Sequence, residues 1–295
     1  MEILSTGLAL GAEVRGLDIR QTLEPAQAAA LRDAWHEHLV LFVRRQPMSI
    51  EQHMAFTRHF GELEHSGPNF FRKYYGGGKE DRAGPDMPPE ISVISNIVVD
   101  GKPIGSLGSG EAKWHTDSAV GEIPPAGGFL RALEIPEAGG STYFMNMYAA
   151  YETLPPELAR QVEGRRILHG RMLYPATPRS TQQPRQGPGN VADINTAPCA
   201  RHPIVRTHPD TGRKALYLGQ RMNASIVDMD ATASERLLDA LWAHAMQDRF
   251  IYKHDWQVGD LVIWDNRCTL HRRDAFDPAS RRLMHKTQTV GTKPY

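Results

Sequence analysis

The chain has 295 residues, with 34 Lys and Arg against 34 Asp and Glu and only two cysteines, Cys199 and Cys268. That length can bury a large core as a single domain over residues 1–295, while balanced charge gives no long-range attraction for nucleic acid or an anionic membrane. Two cysteines cannot build a disulfide framework, no run approaches the roughly 20 apolar residues that span a bilayer, and the opening MEILSTGLALGAEVRGLDIR lacks a basic leader. A soluble cytoplasmic protein with a small-molecule partner is expected.

Along the chain, EPAQAAALRDAWHEH predicts a helix with Pro25 near its start, followed by the short apolar strand LVLFV at 39–43. Ser49 and Gln52 form a capping-box signature for a second helix that ends at Gly61, with Ile50, Met54 and Phe60 on its apolar face. Residues 66–90 turn to Gly, Pro and aromatic pairs, the composition of a mobile lid. Four strand-like segments follow: EISVISNIVVD closing on an Asp-Gly turn, AKWHTDSAV, GGFLRALEI and STYFMNM. AAYETLPPELARQVEG predicts helices broken at Pro155-Pro156, and 175–198 predicts a second mobile loop. Thr232 and Glu235 suggest a cap for TASERLLDALWAHAM, where Leu237, Leu238, Leu241, Trp242 and Ala245 fall at helical spacing. The chain closes with the strands RFIYKHDW, DLVIWDN, CTLHRRD and RRLMHKTQTV. The pattern is mainly β with flanking helices, a sandwich or barrel core.

Within AKWHTDSAV, a strand puts His115 and Asp117 on one face, so both can reach one metal ion. A short His-x-Asp pattern also arises by chance. His208-Pro209-Asp210 is the internal control, since its Pro, Asp and Gly neighbours make it a turn. His271, after an apolar strand, is the candidate third ligand, unless it is a surface residue in HRRD. Two imidazoles and a carboxylate without thiolate suit non-haem ferrous iron with open positions. In RRLMHKTQTV, alternation puts Arg282, Met284, Lys286 and Gln288 on one face. Facing inward, Arg282 and Lys286 would hold separate anionic groups about 13 Å apart; on an edge strand they would be solvated. Trp114 and Trp264 flank the metal segments, either as core or as pocket walls.

Taken together, WHTD, PPAGGFLRALEIPEAGGSTYF and GDLVIWDNRCTLHRRD…RRLMHK resemble the taurine dioxygenase (TauD/TfdA) family in order and approximate spacing over nearly the whole chain. The resemblance implies a double-stranded β-helix core, a jelly roll of cupin type, and Fe(II) and 2-oxoglutarate dependence. It assigns iron to His115, Asp117 and His271, and the far carboxylate of 2-oxoglutarate to Arg282 assisted by Thr142. It implies oxidation, foremost hydroxylation, of a small anionic substrate by dioxygen, with release of succinate and CO2, in a homo-oligomer. The substrate region is placed near Lys286, where taurine dioxygenase has an arginine for the sulfonate, and near His65. The lysine and the long aromatic 66–90 segment make taurine itself a poor fit. Two other classes share part of the pattern, a zinc hydrolase and a non-catalytic anion-binding barrel. The first expects an H-E-x-x-H helix, which the chain lacks, and the second has no need of three metal ligands.

Overall fold

The computed structural model describes residues 1–65, 87–169, 200–221 and 224–295. The expected lid and second loop fall largely on 66–86 and 170–199, outside the described residues. Twelve strands make the two principal sheets: β1 (Glu2–Ser5), β2 (Ala12–Arg15), β3 (Val40–Val43), β4 (Ser92–Ser95), β5 (Ser106–Leu107), β6 (Ala112–His115), β7 (Gly127–Glu134), β8 (Thr142–Asn146), β9 (Ile251–His254), β10 (Leu261–Asp265), β11 (Thr269–Arg273) and β12 (Leu283–Thr289). The larger sheet runs β1-β2-β3-β10-β7-β12-β4-β5 and the smaller β9-β8-β11-β6. This is the mainly β jelly-roll core the sequence predicts.

Period-2 alternation assigns each strand's two faces to two cores. Phe42, Leu130, Ala132, Val262, Trp264 and Met284 of the larger sheet meet Phe144 and Leu270 of the smaller in one cluster. The alternate residues Leu41, Val43, Phe129, Leu261 and Ile263 face outward and pack under α1 (Pro25–His38) and α2 (Ile50–Thr57). Fully burying one such side chain contributes about 1.5–3 kcal/mol, so the helices are held by this outer face more than by propensity.

The helix ends follow local chemistry. Gln27 Oε1 accepts from the Glu24 N–H at the start of α1, and Leu39 closes it in the left-handed region at φ 63°. Ser49 and Gln52 form the predicted reciprocal box, but the buried face of α2 is His53, Phe56 and Thr57. Ile50, Met54 and Phe60 are only half-buried, because the strand beneath offers hydroxyls: Thr57 and His53 both reach Thr287 of β12, at 2.7 and 3.2 Å. The Pro155-Pro156 break separates α3 (Met147–Glu152) from α4 (Pro156–Val162) as expected. Helix α5 (Ala231–Ala245) buries the predicted apolar stripe, but its cap is Asp230, whose side chain accepts from Ala233 N–H, two residues before the expected Thr232.

The paired glycines opening β7 are explained by two indoles on opposite faces. A Cβ on Gly127 would stand 2.8 Å from Trp35 of α1, and one on Gly128 would stand 2.2 Å from Trp264 inside the barrel. Among the described residues, no helix is long and apolar enough to cross a membrane. Gly128→Ala must displace the Trp264 indole, and overpacking of this kind costs about 1–3 kcal/mol. Urea unfolding is expected to show that loss; an unchanged midpoint would mean the indole can yield.

Candidate metal centre

Antiparallel pairing of β6 and β11 sets His115 directly opposite His271. Their ring centroids are 4.1 Å apart, and His271 is flanked on its other side by its partner Phe144 of β8. β6 ends at His115, so Asp117 lies not in a strand, as the sequence led us to expect, but in the turn that follows, where Ser118 has φ 53°. The turn is fixed from beneath. Asn266, fully buried after β10, accepts from Asp117 N–H at 2.8 Å and donates to the Asp117 carbonyl at 3.1 Å. His202 Nε2 contacts the carbonyls of Ala119 and Gly121, both at 3.0 Å.

Asp117 Oδ1 thereby stands 3.7 Å from His115 Nε2 and 3.8 Å from His271 Nε2. Two ligands about 2.1 Å from one ion are roughly 3 Å apart at a right angle and about 4.2 Å apart when opposite, so these separations bracket a shared ion. The protonation states fit. Burial lowers the pKa of both imidazoles, with the neighbouring charges of Lys286 and, for His271, His115 acting the same way, so they are neutral with free lone pairs. Burial pushes Asp117 up, but the Lys286 ammonium beside it outweighs this, leaving the carboxyl well below its ordinary range and ionised. At His115, Nδ1–H donates to the Lys113 carbonyl at 2.7 Å, which turns Nε2 inward.

A second cluster, His208, Asp265 and Cys268, also brings ligand atoms together. Its chemistry is closed. Arg267 engages both oxygens of Asp265 at 2.9 and 2.7 Å, His208 Nε2 adds a third contact at 3.0 Å, and His208 Nδ1 accepts from Asp210 and Thr211 N–H. Burial raises the Cys268 thiol far above its usual range, so it stays protonated. The turn expected at His208-Pro209-Asp210 is there, and its histidine is a buried brace.

At one end of the barrel lie the residues expected to hold an oxo acid. Arg282 is 1% exposed, just before β12, with its backbone tied to Asn96 and Ser95. Its Nε and Nη1 have no partner among the described residues, and burial together with nearby Arg273 pulls the guanidinium down to about 9, still charged at neutral pH. Thr142 accepts from Trp256 Nε1–H at 3.0 Å, so its own hydroxyl hydrogen is free to donate elsewhere. Two buried cations and a hydroxyl donor are the chemistry of a carboxylate site. Sequence reasoning missed Arg273 and Trp256. Arg273 is two residues beyond His271 and so on its face of β11, a signal available from alternation; Trp256 could be placed only by the fold.

The inward set of β12 is as predicted, with Met284 in the inner core and Lys286 at the metal turn. Lys286 Nζ, however, lies 2.7 Å from Asp117 Oδ2 and 5.2 Å from the Trp264 ring centroid. Trp264 is a wall of the site, 4.8 Å from His271. Trp114 is core, under Arg272. His65 is 72% exposed and 3.6 Å from Glu90, and is not brought into the cluster.

Comparison with known proteins gives a consistent result. The family model described as taurine catabolism dioxygenase TauD, TfdA family, matches residues 3–288. Pentalenolactone F synthase of Streptomyces arenae is 34% identical over 98% of this chain and 94% of its own length. The alpha-ketoglutarate-dependent 2,4-dichlorophenoxyacetate dioxygenase of Burkholderia sp. strain RASC is 33% identical over 95% and 91%. The crystal structure of AAD-2 with Mn(II) and N-oxalylglycine superposes with TM-score 0.75 at 29% identity, over 99% of this chain and 98% of that one.

The histidines behind the site make stability depend on pH. Burial lowers His202 to about 4 and His53 and His169 to about 3, whereas each takes a proton near 6.5 when unfolded. The unfolded chain therefore binds more protons below about pH 6.5, and each group removes up to about 1.4 kcal/mol per pH unit as pH falls from there toward its folded pKa. Urea midpoints are expected to decline steadily from pH 7 to 5; a flat profile contradicts this.

Proposed function

The chain belongs to the TauD/TfdA family of 2-oxoglutarate-dependent dioxygenases, and we propose that His115, Asp117 and His271 hold its ferrous ion while Arg282 and Thr142 hold the far carboxylate of 2-oxoglutarate. The convergence of two neutral imidazoles and one ionised carboxylate from segments about 150 residues apart carries this reading. The donor set is that of an oxygen-activating iron centre, which needs open positions beside three protein ligands. Family membership sets aside the hydrolase and non-catalytic alternatives.

Iron and 2-oxoglutarate, when bound, would supply the oxidising chemistry, in which dioxygen gives one atom to the oxo acid as it loses CO2 to become succinate and the other to a substrate carbon. The chain supplies position. Arg282 offers Nε and Nη1 to a carboxylate, Thr142 adds its hydroxyl hydrogen, and Trp256 fixes that hydroxyl's direction. Arg273 adds positive charge beside Arg282. N-oxalylglycine, bound in the AAD-2 structure, has the same distal carboxylate as 2-oxoglutarate, with an NH in place of a methylene. Phe144 and Trp264 flank His271 and keep water from that side of the metal. The relatives named for 2,4-dichlorophenoxyacetate and phenoxypropionate act on aryloxy carboxylates, which supports a small organic acid as substrate here, with hydroxylation as the outcome.

Anaerobic addition of Fe(II) and 2-oxoglutarate is expected to give the weak visible band of the metal-bound oxo acid, lost in His115→Ala. Absence of the band from the native protein would sink the assignment. Arg282→Ala removes charge-assisted hydrogen bonds worth about 1.5–3 kcal/mol and is expected to raise the KM for 2-oxoglutarate by about 10- to 150-fold, measured by succinate release.

A further inference from the structure

The two oxygens of Asp117 have different partners. Oδ1 faces both imidazoles, and Oδ2 accepts from Lys286 Nζ at 2.7 Å. The pair is shielded, with 13% and 12% of the two side chains exposed, so solvent screens it far less than a surface ion pair. Lys286 is held on its other flank by Trp264, whose indole also packs on His271. Asn266 fixes the Asp117 backbone on both its N–H and its carbonyl. The carboxylate is thus clamped at both ends, with one oxygen spoken for and the other presented to the histidines.

We infer that Lys286 is a positioning residue that holds Asp117 as a single-oxygen metal ligand, and not the anchor for a substrate anion. The inference rests on the metal assignment above. The Lys286 charge is already balanced by a buried carboxylate, and swinging away toward a second anion would leave Oδ2 without its donor. It also explains how a lysine serves here: a point charge on a flexible stem meets one oxygen, whereas the planar fork of an arginine is built to take two. A substrate carboxylate must then be recognised by other groups.

The test is metal binding with no oxo acid or substrate present. Mn(II) is titrated into metal-free protein and followed by the electron paramagnetic resonance of the free ion, for native, Lys286→Met and Lys286→Arg chains. Loss of a hydrogen-bonded partner behind a metal ligand typically weakens binding about 10- to 100-fold. Lys286→Met is expected to show that loss, and Lys286→Arg, whose fork can engage both oxygens of Asp117, to weaken binding as well, so the second variant still tests the inference should the first not fold. An anchor for substrate would leave metal-only binding unchanged, and native-like Mn(II) affinity in Lys286→Met overturns the inference while leaving the iron assignment intact. Failure of the native chain to bind Mn(II) would remove both.

Discussion

The structure depends on one strand pairing. β6 and β11 meet with His115 opposite His271, and without that register no arrangement of the remaining residues assembles the centre. A slip of one residue in either strand would turn its imidazole to the opposite face from its partner's. The register is protected by what surrounds it: β11 is also paired to β8 over five residues, and the turn carrying Asp117 is bolted to the end of β10 through Asn266. The three proposed ligands are therefore fixed by both sheets, since two histidines belong to the smaller one and the clamp on the aspartate to the larger.

Two buried groups of histidine and carboxylate lie within this core, and their differences are instructive. Around Asp265 every strong acceptor has a donor, so the cluster braces the chain as a closed network. Around Asp117 the imidazole nitrogens and one oxygen point at a common centre, and the nearby Arg282 retains two unpartnered nitrogens. Burying such groups unpaired costs about 1–3 kcal/mol each, more if charged, which a fold tolerates where a ligand compensates. The brace is fully buried and includes a thiol, whereas the Asp117 cluster is partly exposed; hydrogen-bond saturation is the further difference between brace and candidate centre.

Much of this was legible in the sequence because it followed from period. Alternation in RRLMHKTQTV put Arg282, Met284 and Lys286 on one face without deciding between core and edge, and that face is found inward. His115, Asp117 and His271 were identifiable from residue type and family order, and the Asp-Gly turn from its dipeptide, with Asp100 and Gly101 both at positive φ. What was not legible depended on contacts between remote segments. The face of α2 was misjudged because Thr287 rewards polar residues there, the cap of α5 fell on an equally suitable neighbour, and the partner of Lys286 lies 169 positions away. The paired glycines that open GGFLRALEI proved to be clearances for two indoles.

The back of β12 bears on how this protein can be altered. Thr287, one position after Lys286, is tied to His53 and Thr57 of α2, and Leu63 and Glu64 join the end of the same strand through a bridge at Thr289 and a bond to the Gln288 carbonyl. The segment ending at His65 is thus riveted to the strand carrying Lys286. An alteration at Thr287 would therefore act in two directions at once, on the seat of α2 and on the setting of the neighbouring Lys286.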